Sequence, residues 1–283
     1  MNTATEQTGT FTGSDNVKIF YRTYAARPER ARMVIAHGLG EHSGRYGNVV
    51  NHILPAGISA WVPDHRGHGR SEGKRGHVLN FVQYVTDLEM MVDRARRDLP
   101  AGMPCFLFGH SLGGLIALYF AQQFPGLVDG LVISSPALGM VIEVPVAKKM
   151  AGRIMSFVYP GLSMGNELDA AKISHDPEVV KAYENDPLVH DRVSARFFTE
   201  FMSAMESVNQ QASAIQVPIL LQLAGDDHLV NAQASQRFFE NLALEDKTLH
   251  VYDGLYHEIY NETEAQRKQV LQDLSAWLES HIG

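Results

Sequence analysis

The sequence predicts an α/β chain built on a mostly parallel central sheet with helices on both faces. Three observations predict it. Short apolar runs that stop at turn-rich segments alternate with stretches of helical spacing along most of the 283 residues. One of those runs, Cys105-Phe106-Leu107-Phe108, enters Gly109-His110-Ser111-Leu112-Gly113 and passes at once into a helix-like stretch. From about 137 to 215 no strand pattern appears, and Pro145, Pro160, Pro177 and Pro187 break the helical pieces there.

Residues 17–23 alternate apolar and polar side chains, as an early antiparallel strand does. Residues 33–36 and 59–62 are short apolar runs suited to central strands. Between them 46–54 carries helical spacing, with Gly57 as its stop. Residues 81–99 place Val82, Val85, Leu88, Met91, Val92 and Ala95 on one helical face and end at Pro100. Strands follow at 105–108 and 131–134, then at 218–223 and 248–252, with a last amphipathic helix over about 263–281. Residues 1–136 and 216–283 therefore make the core. The insertion 137–215 is expected to form a helical cap over the C-terminal strand edge, where such sheets bind ligands.

The formal charge of −8 argues against nucleic acid as a partner and against a general affinity for anionic lipid. The one cysteine, Cys105, excludes an intramolecular disulfide and sits in an apolar strand as a small core residue. Residues 1–12 are polar, without a basic cap leading into an apolar run, so no secretory signal is expected. No apolar stretch approaches the length of a membrane span, and the cytoplasm is the expected compartment.

Gly109-His110-Ser111-Leu112-Gly113 between a strand and a helix is a nucleophile elbow: glycines let a tight turn hold the serine clear of the sheet. Ser111 needs a base, and the base needs an orienting carboxylate, following in the order Ser, Asp or Glu, His. Of 13 histidines, His257 in Gly254-Leu255-Tyr256-His257-Glu258 lies between the last strand and the last helix, where a loop reaches back over the elbow. His110 adjoins Ser111 but points elsewhere, His250 falls inside a strand, and His281 is near the chain end. His65 and His68 form His-x-x-His with glycines around them and no third ligand, so a metal is not expected. The acid lies in Gly225-Asp226-Asp227-His228-Leu229-Val230. Asp-x-x-Val, the pattern that recurs at this strand end, selects Asp227 by analogy with the fold. The oxyanion donors are the N–H of Leu112 and the N–H of Leu39, in the glycine-rich loop His37-Gly38-Leu39-Gly40. No cofactor is called for.

The segments His37-Gly38-Leu39-Gly40-Glu41-His42-Ser43-Gly44-Arg45-Tyr46, DHRGHGRSEG from Asp64, GHSLGG from Gly109 and Tyr256-His257-Glu258 together resemble the monoacylglycerol lipase and lysophospholipase-like branch of the α/β-hydrolases. Tyr183-Glu184-Asn185-Asp186-Pro187-Leu188 extends the resemblance into the insertion. It implies a serine hydrolase acting on a small-molecule lipid ester, with monoacylglycerol first and a lysophospholipid or general carboxylic ester as the alternatives. A ligand-binding homologue that has lost turnover is a remote alternative. It also implies that Glu41, Arg45 and Tyr183 lie near the polar head group and help to hold glycerol. The chain departs from the mammalian pattern at Tyr260, where a second histidine stands, and at His190 and Val230, where cysteines stand.

Within the insertion Met150, Ile154, Phe157 and Val158 share one helical face, with Lys148, Lys149 and Arg153 beside it. That face either packs on the core or stays open to acyl chains and lipid.

Overall fold

The computed structural model describes residues 6–141 and 146–282, with no account of side chains 146–149. The start of the polar segment (1–5), Pro145 and the side chains of Lys148 and Lys149 lie outside the described residues.

An eight-stranded sheet forms the centre. Its strands are β1 (Glu6–Thr12), β2 (Lys18–Tyr24), β3 (Ala31–Ala36), β4 (Ile58–Pro63), β5 (Cys105–His110), β6 (Gly130–Ser134), and two later ones that extend the sheet in parallel beyond β6. From one edge the order runs β1-β2-β4-β3-β5-β6 and then the strands Ile219–Ala224 and Lys247–Tyr252. β2 is antiparallel to both neighbours, and every other pairing is parallel.

Helices α1 (Gly47–Ile53), α2 (Val82–Arg96) and α3 (Leu112–Gln123) connect β3 to β4, β4 to β5 and β5 to β6. β5 shows why these strands read as unbroken apolar runs. Cys105 and Leu107 face the cluster that packs α2 and α3, while Phe106 and Phe108 face the cluster that packs α1 and the C-terminal helix. Side chains alternate across a strand, and helices cover both faces, so every position is buried. Full burial of a side chain such as Phe106 or Phe108 is worth about 1.5–3 kcal/mol.

Between β6 and the seventh sheet strand the chain builds α4 (Val146–Val158), a short strand β7 (Ser163–Gly165), α5 (Pro177–Asn185), a short strand β8 (Arg192–Ser194) and α6 (Ala195–Gln210). β9 (Ile219–Ala224), α7 (Ala232–Glu240), β10 (Lys247–Tyr252) and α8 (Glu264–His281) complete the chain. β7 and β8 pair antiparallel, which corrects the expectation of a strandless insertion. With three residues each, they are too short to show a period.

The antiparallel strand near the start has a partner the sequence concealed. β1 is an edge strand on which only Phe11 is buried, so it carries no apolar alternation. α2 ends at Arg96, three residues before the expected stop, and tightens into 3-10 bonds from Arg97 N–H to Arg94 and from Leu99 N–H to Arg96. α7, which the spacing did not signal, is capped by Asn231, whose side chain accepts from Ala234 N–H at 3.1 Å.

α4 answers the question posed by its apolar face. It turns Ser156 inward, where Ser156 Oγ meets Thr199 Oγ1 of α6 at 2.7 Å. Phe157 is 87% exposed and Val158 67%, with Met150 and Ile154 also open.

Candidate active site

Four turns meet at the C-terminal ends of the parallel strands: those after β3, β5, β9 and β10. Ser111 follows β5 at φ +53° and ψ −116°, a backbone conformation costing about 1–3 kcal/mol. The turn is overdetermined. Ser111 N–H donates to Ser134 O of β6 at 3.0 Å, and Ser111 O accepts from Leu115 and Ala137. A Cβ on Gly109 would stand 2.5 Å from Gly113 O, and one on Gly113 only 2.1 Å from Ala36 O. Side chains at either position would force β3, β5 and α3 apart.

His257 follows β10 and is buried. Its Nδ1 lies 2.7 Å from Asp227 Oδ2, at the end of β9, so Nδ1 carries the proton and Nε2 is left as the acceptor. Asp227 Oδ1 accepts from Leu229 and Val230 N–H, both at 2.9 Å. Asp226 points outward, its side chain 55% exposed and 3.4 Å from His228 Nε2. Burial alone would lower the His257 pKa, but Asp227, aided by Glu258 and Glu41, outweighs it and raises the pKa above the ordinary imidazole value. Burial likewise pushes Asp227 up, and His257 with the two backbone donors brings it below the usual carboxylate range. Among the described residues the Ser111 hydroxyl has no hydrogen-bond partner and remains free to turn.

Leu112 is the first residue of α3, whose initial N–H groups have no partners within the helix. The loop carrying Leu39 is drawn against it by Gly113 and by Gly38, where a Cβ would touch the Ser111 Cβ at 3.4 Å. Glu41 keeps that loop in shape. Its Oε1 accepts from Gly38 N–H at 2.6 Å and from Tyr46 Oη at 2.8 Å.

Glu41 Oε2 also accepts from Arg45 at 2.7 Å, and Arg45 binds both oxygens of Glu258 at 2.6 and 2.7 Å. The Tyr183 ring of α5 lies over the guanidinium, 4.7 Å from its carbon. All three buried charges share one small volume. Burial and the Glu258 charge push Glu41 up against the pull of Arg45, whereas the two-pronged contact with Arg45 overcomes burial and holds Glu258 down. A cavity of about 20 Å³ borders Glu41, Arg45, His110, Glu258 and Tyr260, room for one water rather than for glycerol. The larger cleft of about 440 Å³ lies elsewhere, between Arg96, Asp129 and His281, and holds none of the groups above.

Burial presses the His110 pKa down to about 3, so it stays neutral; its Nδ1 faces Ser134 Oγ at 3.2 Å and its ring stands 4.8 Å from that of His257. His65 and His68 pack with His37 beneath the loop, with ring centroids 4.2 Å (His37–His65) and 5.3 Å (His37–His68) apart. Among the described residues no group of three or more His, Cys, Asp or Glu side chains is arranged to hold a metal. The three departures are all placed. Tyr260 donates to Gln222 under the sheet end, His190 packs on His68 at 4.7 Å, and Val230 bridges to Met140.

Sequence reasoning passed over Glu258, Glu262 and the His110–Ser134 contact. Glu258 adjoins His257 in the chain, and a second titratable residue inside an otherwise apolar loop was the available signal. Glu262 gave none, because its partners Ser174 and His175 lie in the insertion.

The family described as serine aminopeptidase, S33, matches residues 27–264. A monoacylglycerol lipase of Mycolicibacterium smegmatis is 36% identical over 284 residues, covering the whole of both chains. Phospholipase YtpA of Bacillus subtilis is 33% identical over 263 residues, 92% of this chain and 99% of the relative. The crystal structure of a Paleococcus ferrophilus monoacylglycerol lipase superposes with a TM-score of 0.85 at 36% identity, over 93% of this chain and 99% of that one.

Proposed function

The chain belongs to the serine aminopeptidase S33 family of α/β-hydrolases, in its monoacylglycerol lipase-like branch, and from that premise we propose that it hydrolyses monoacylglycerol to glycerol and a fatty acid through an acyl-enzyme on Ser111. The observation that carries the mechanism is that Ser111, held at positive φ after β5, and the buried His257–Asp227 couple lie at the same C-terminal ends of the strands, with the ring of His110, next to Ser111, 4.8 Å from that of His257.

Ser111 Oγ attacks the ester carbonyl while His257 Nε2 takes its proton, and Asp227 stabilises the imidazolium that forms. The Leu39 and Leu112 N–H groups receive the oxyanion at the positive end of α3. His257 then protonates the departing glycerol, and water repeats the sequence on the acyl-enzyme. Residues 137–215 act as the cap, and the Glu41–Arg45–Tyr183 cluster marks the polar end of the site. Glu41 serves there chiefly by holding the Leu39 loop, since both of its oxygens are engaged.

The open face of α4 supports peripheral contact with a lipid surface, from which a single-chain ester would enter. Among the described residues no helix is long and apolar enough to cross a membrane. Similarity to a phospholipase favours one second reading, hydrolysis of lysophospholipid. A comparison of kcat/KM for monoacylglycerol, lysophosphatidylcholine and short p-nitrophenyl esters decides. Monoacylglycerol is expected to lead, and a lead for lysophosphatidylcholine would replace the first reading with the second.

A further inference from the structure

Glu262 follows the catalytic loop, and its side chain is fully buried. The chemistry above does not use it, yet donors converge on it from two parts of the chain. Oε1 accepts from Tyr256 N–H at 2.7 Å and from His175 Nδ1 at 2.9 Å. Oε2 accepts from His175 N–H at 2.8 Å, with Ser174 Oγ at 3.3 Å. A buried carboxylate is tolerated only where donors meet it on both oxygens, and here most come from the insertion.

The same two segments meet again on either side of His257. Glu258 N–H donates to Ile173 O at 2.8 Å, and the single Ser174 hydroxyl proton is directed chiefly to Asn261 O at 2.8 Å and only weakly to Glu262 Oε2. The His175 ring stacks on Tyr256 with centroids 3.6 Å apart, Lys172 Nζ lies 5.5 Å from the Tyr256 ring, and His228 meets its edge at 5.1 Å. Residues 256 and 258, which flank the base, are thus each bonded to the insertion or to the carboxylate that the insertion holds.

We propose that Glu262, together with Ile173, Ser174 and His175, forms a clasp between the insertion and the catalytic loop, with Glu262 and His175 as positioning residues that keep His257 aligned between Asp227 and Ser111. The inference rests on His257 being the base. It makes the insertion part of the catalytic geometry as well as a cover, because movement of residues 173–175 is passed directly to the backbone on both sides of His257. The clasp touches no reacting atom, so its loss acts on turnover rather than on substrate affinity.

Two variants test this. Glu262→Gln leaves N–H groups facing N–H donors. His175→Phe keeps the stack on Tyr256 and removes only the Nδ1 bond, and with its side chain 35% exposed it is the milder change. For each, kcat and KM are measured per serine titrated by a fluorophosphonate, along with the pH profile of kcat/KM. The charged and titratable groups facing His257 are Asp227, Glu258, Glu41 and His110. The expected result is a fall in kcat of about tenfold for His175→Phe and more for Glu262→Gln, with KM within about threefold. The acidic limb should move down as the Asp227 contact loosens. An unchanged kcat per titrated serine and an unmoved limb in His175→Phe would overturn the proposal, even if the melting temperature fell. If Glu262→Gln does not fold, His175→Phe decides alone. His257→Ala separates the two readings: turnover retained there would remove the base assignment itself.

Discussion

With the Leu39 and Leu112 N–H groups as the proposed oxyanion donors, Gly113→Ala should displace one of them, which no side-chain change at Leu39 or Leu112 can do. The added Cβ would stand 2.1 Å from Ala36 O and 2.5 Å from His37 O. Both are main-chain atoms at the end of β3, which is held in parallel register with β5 through Ala36 and Gly109, so neither can swing aside. Reaching a tolerable carbon–oxygen contact of about 3.3 Å requires α3 and the Leu39 loop to part by about 1 Å. Leu112 N–H travels with the helix and Leu39 N–H with the loop, so one of two donors set near 2.9 Å moves to about 3.9 Å and ceases to bond. Loss of one such donor lowers kcat by about 10²–10³, and the overpacking costs about 1–3 kcal/mol of folding stability.

The assay is kcat on a soluble p-nitrophenyl ester, normalised to serines titrated by a fluorophosphonate, with KM and melting temperature measured alongside. A fall of at least about 100-fold per competent serine, with KM within about threefold, is expected. Gly38→Ala is the companion: its Cβ would stand 2.8 Å from Glu41 Oε1, a side-chain atom rather than main chain, and a loss of about tenfold with folding retained is expected as the Glu41 contact to the loop is disturbed. A folded Gly113→Ala enzyme turning over within threefold of the parent would refute the oxyanion geometry.

Asp227→Asn should lower kcat by about 10⁴ and Asp226→Asn by less than about twofold, since only the former holds the His257 tautomer; the reverse pattern in steady-state kinetics would move the acid to Asp226. Acid should destabilise the fold through its buried neutral histidines. Burial holds His65 at about 4 and His110 at about 3, so the unfolded chain binds protons that the folded chain does not. Stability is complete above about 6.5 and falls as pH drops from there toward the folded values, by about 2 kcal/mol per histidine at pH 5 relative to pH 7. His257, raised by Asp227, acts in the opposite sense and is outnumbered by His37, His65, His68, His110 and His190. Equal denaturation midpoints at pH 7 and pH 5 would contradict this. The paired change Ile154→Ser and Phe157→Ser should weaken co-sedimentation with zwitterionic vesicles and spare hydrolysis of soluble esters, because both side chains are exposed.

The central strands and the candidate site were legible because each rests on local chemistry. The glycines around Ser111, the Asp-x-x-Val turn and the loop before α8 are turn signals written in adjacent residues. What escaped is nonlocal or too short to show a period. β1 is seen only through its pairing with β2, and three residues of β7 are nothing without three of β8. The spacing of Met150, Ile154 and Phe157 shows that they share a face but not whether anything covers it. The exposure of Phe157 and Ile154 shows that the face is open. Glu41 and Arg45 were placed near the head group by resemblance. Their engagement with Gly38 and Tyr46 is local, but the contact of Arg45 with Glu258 joins two segments 213 residues apart, and no pattern in either one reveals it.

Every catalytic step proposed for this chain depends on Ser111 as the nucleophile. Reaction with a fluorophosphonate followed by intact-mass and peptide mapping tests it most directly, alongside hydrolysis of monoacylglycerol by Ser111→Ala. One adduct per chain, on Ser111, with labelling and hydrolysis both lost in the variant, is the predicted result. An adduct mapped to another residue, or hydrolysis at the parent rate by Ser111→Ala, would contradict it.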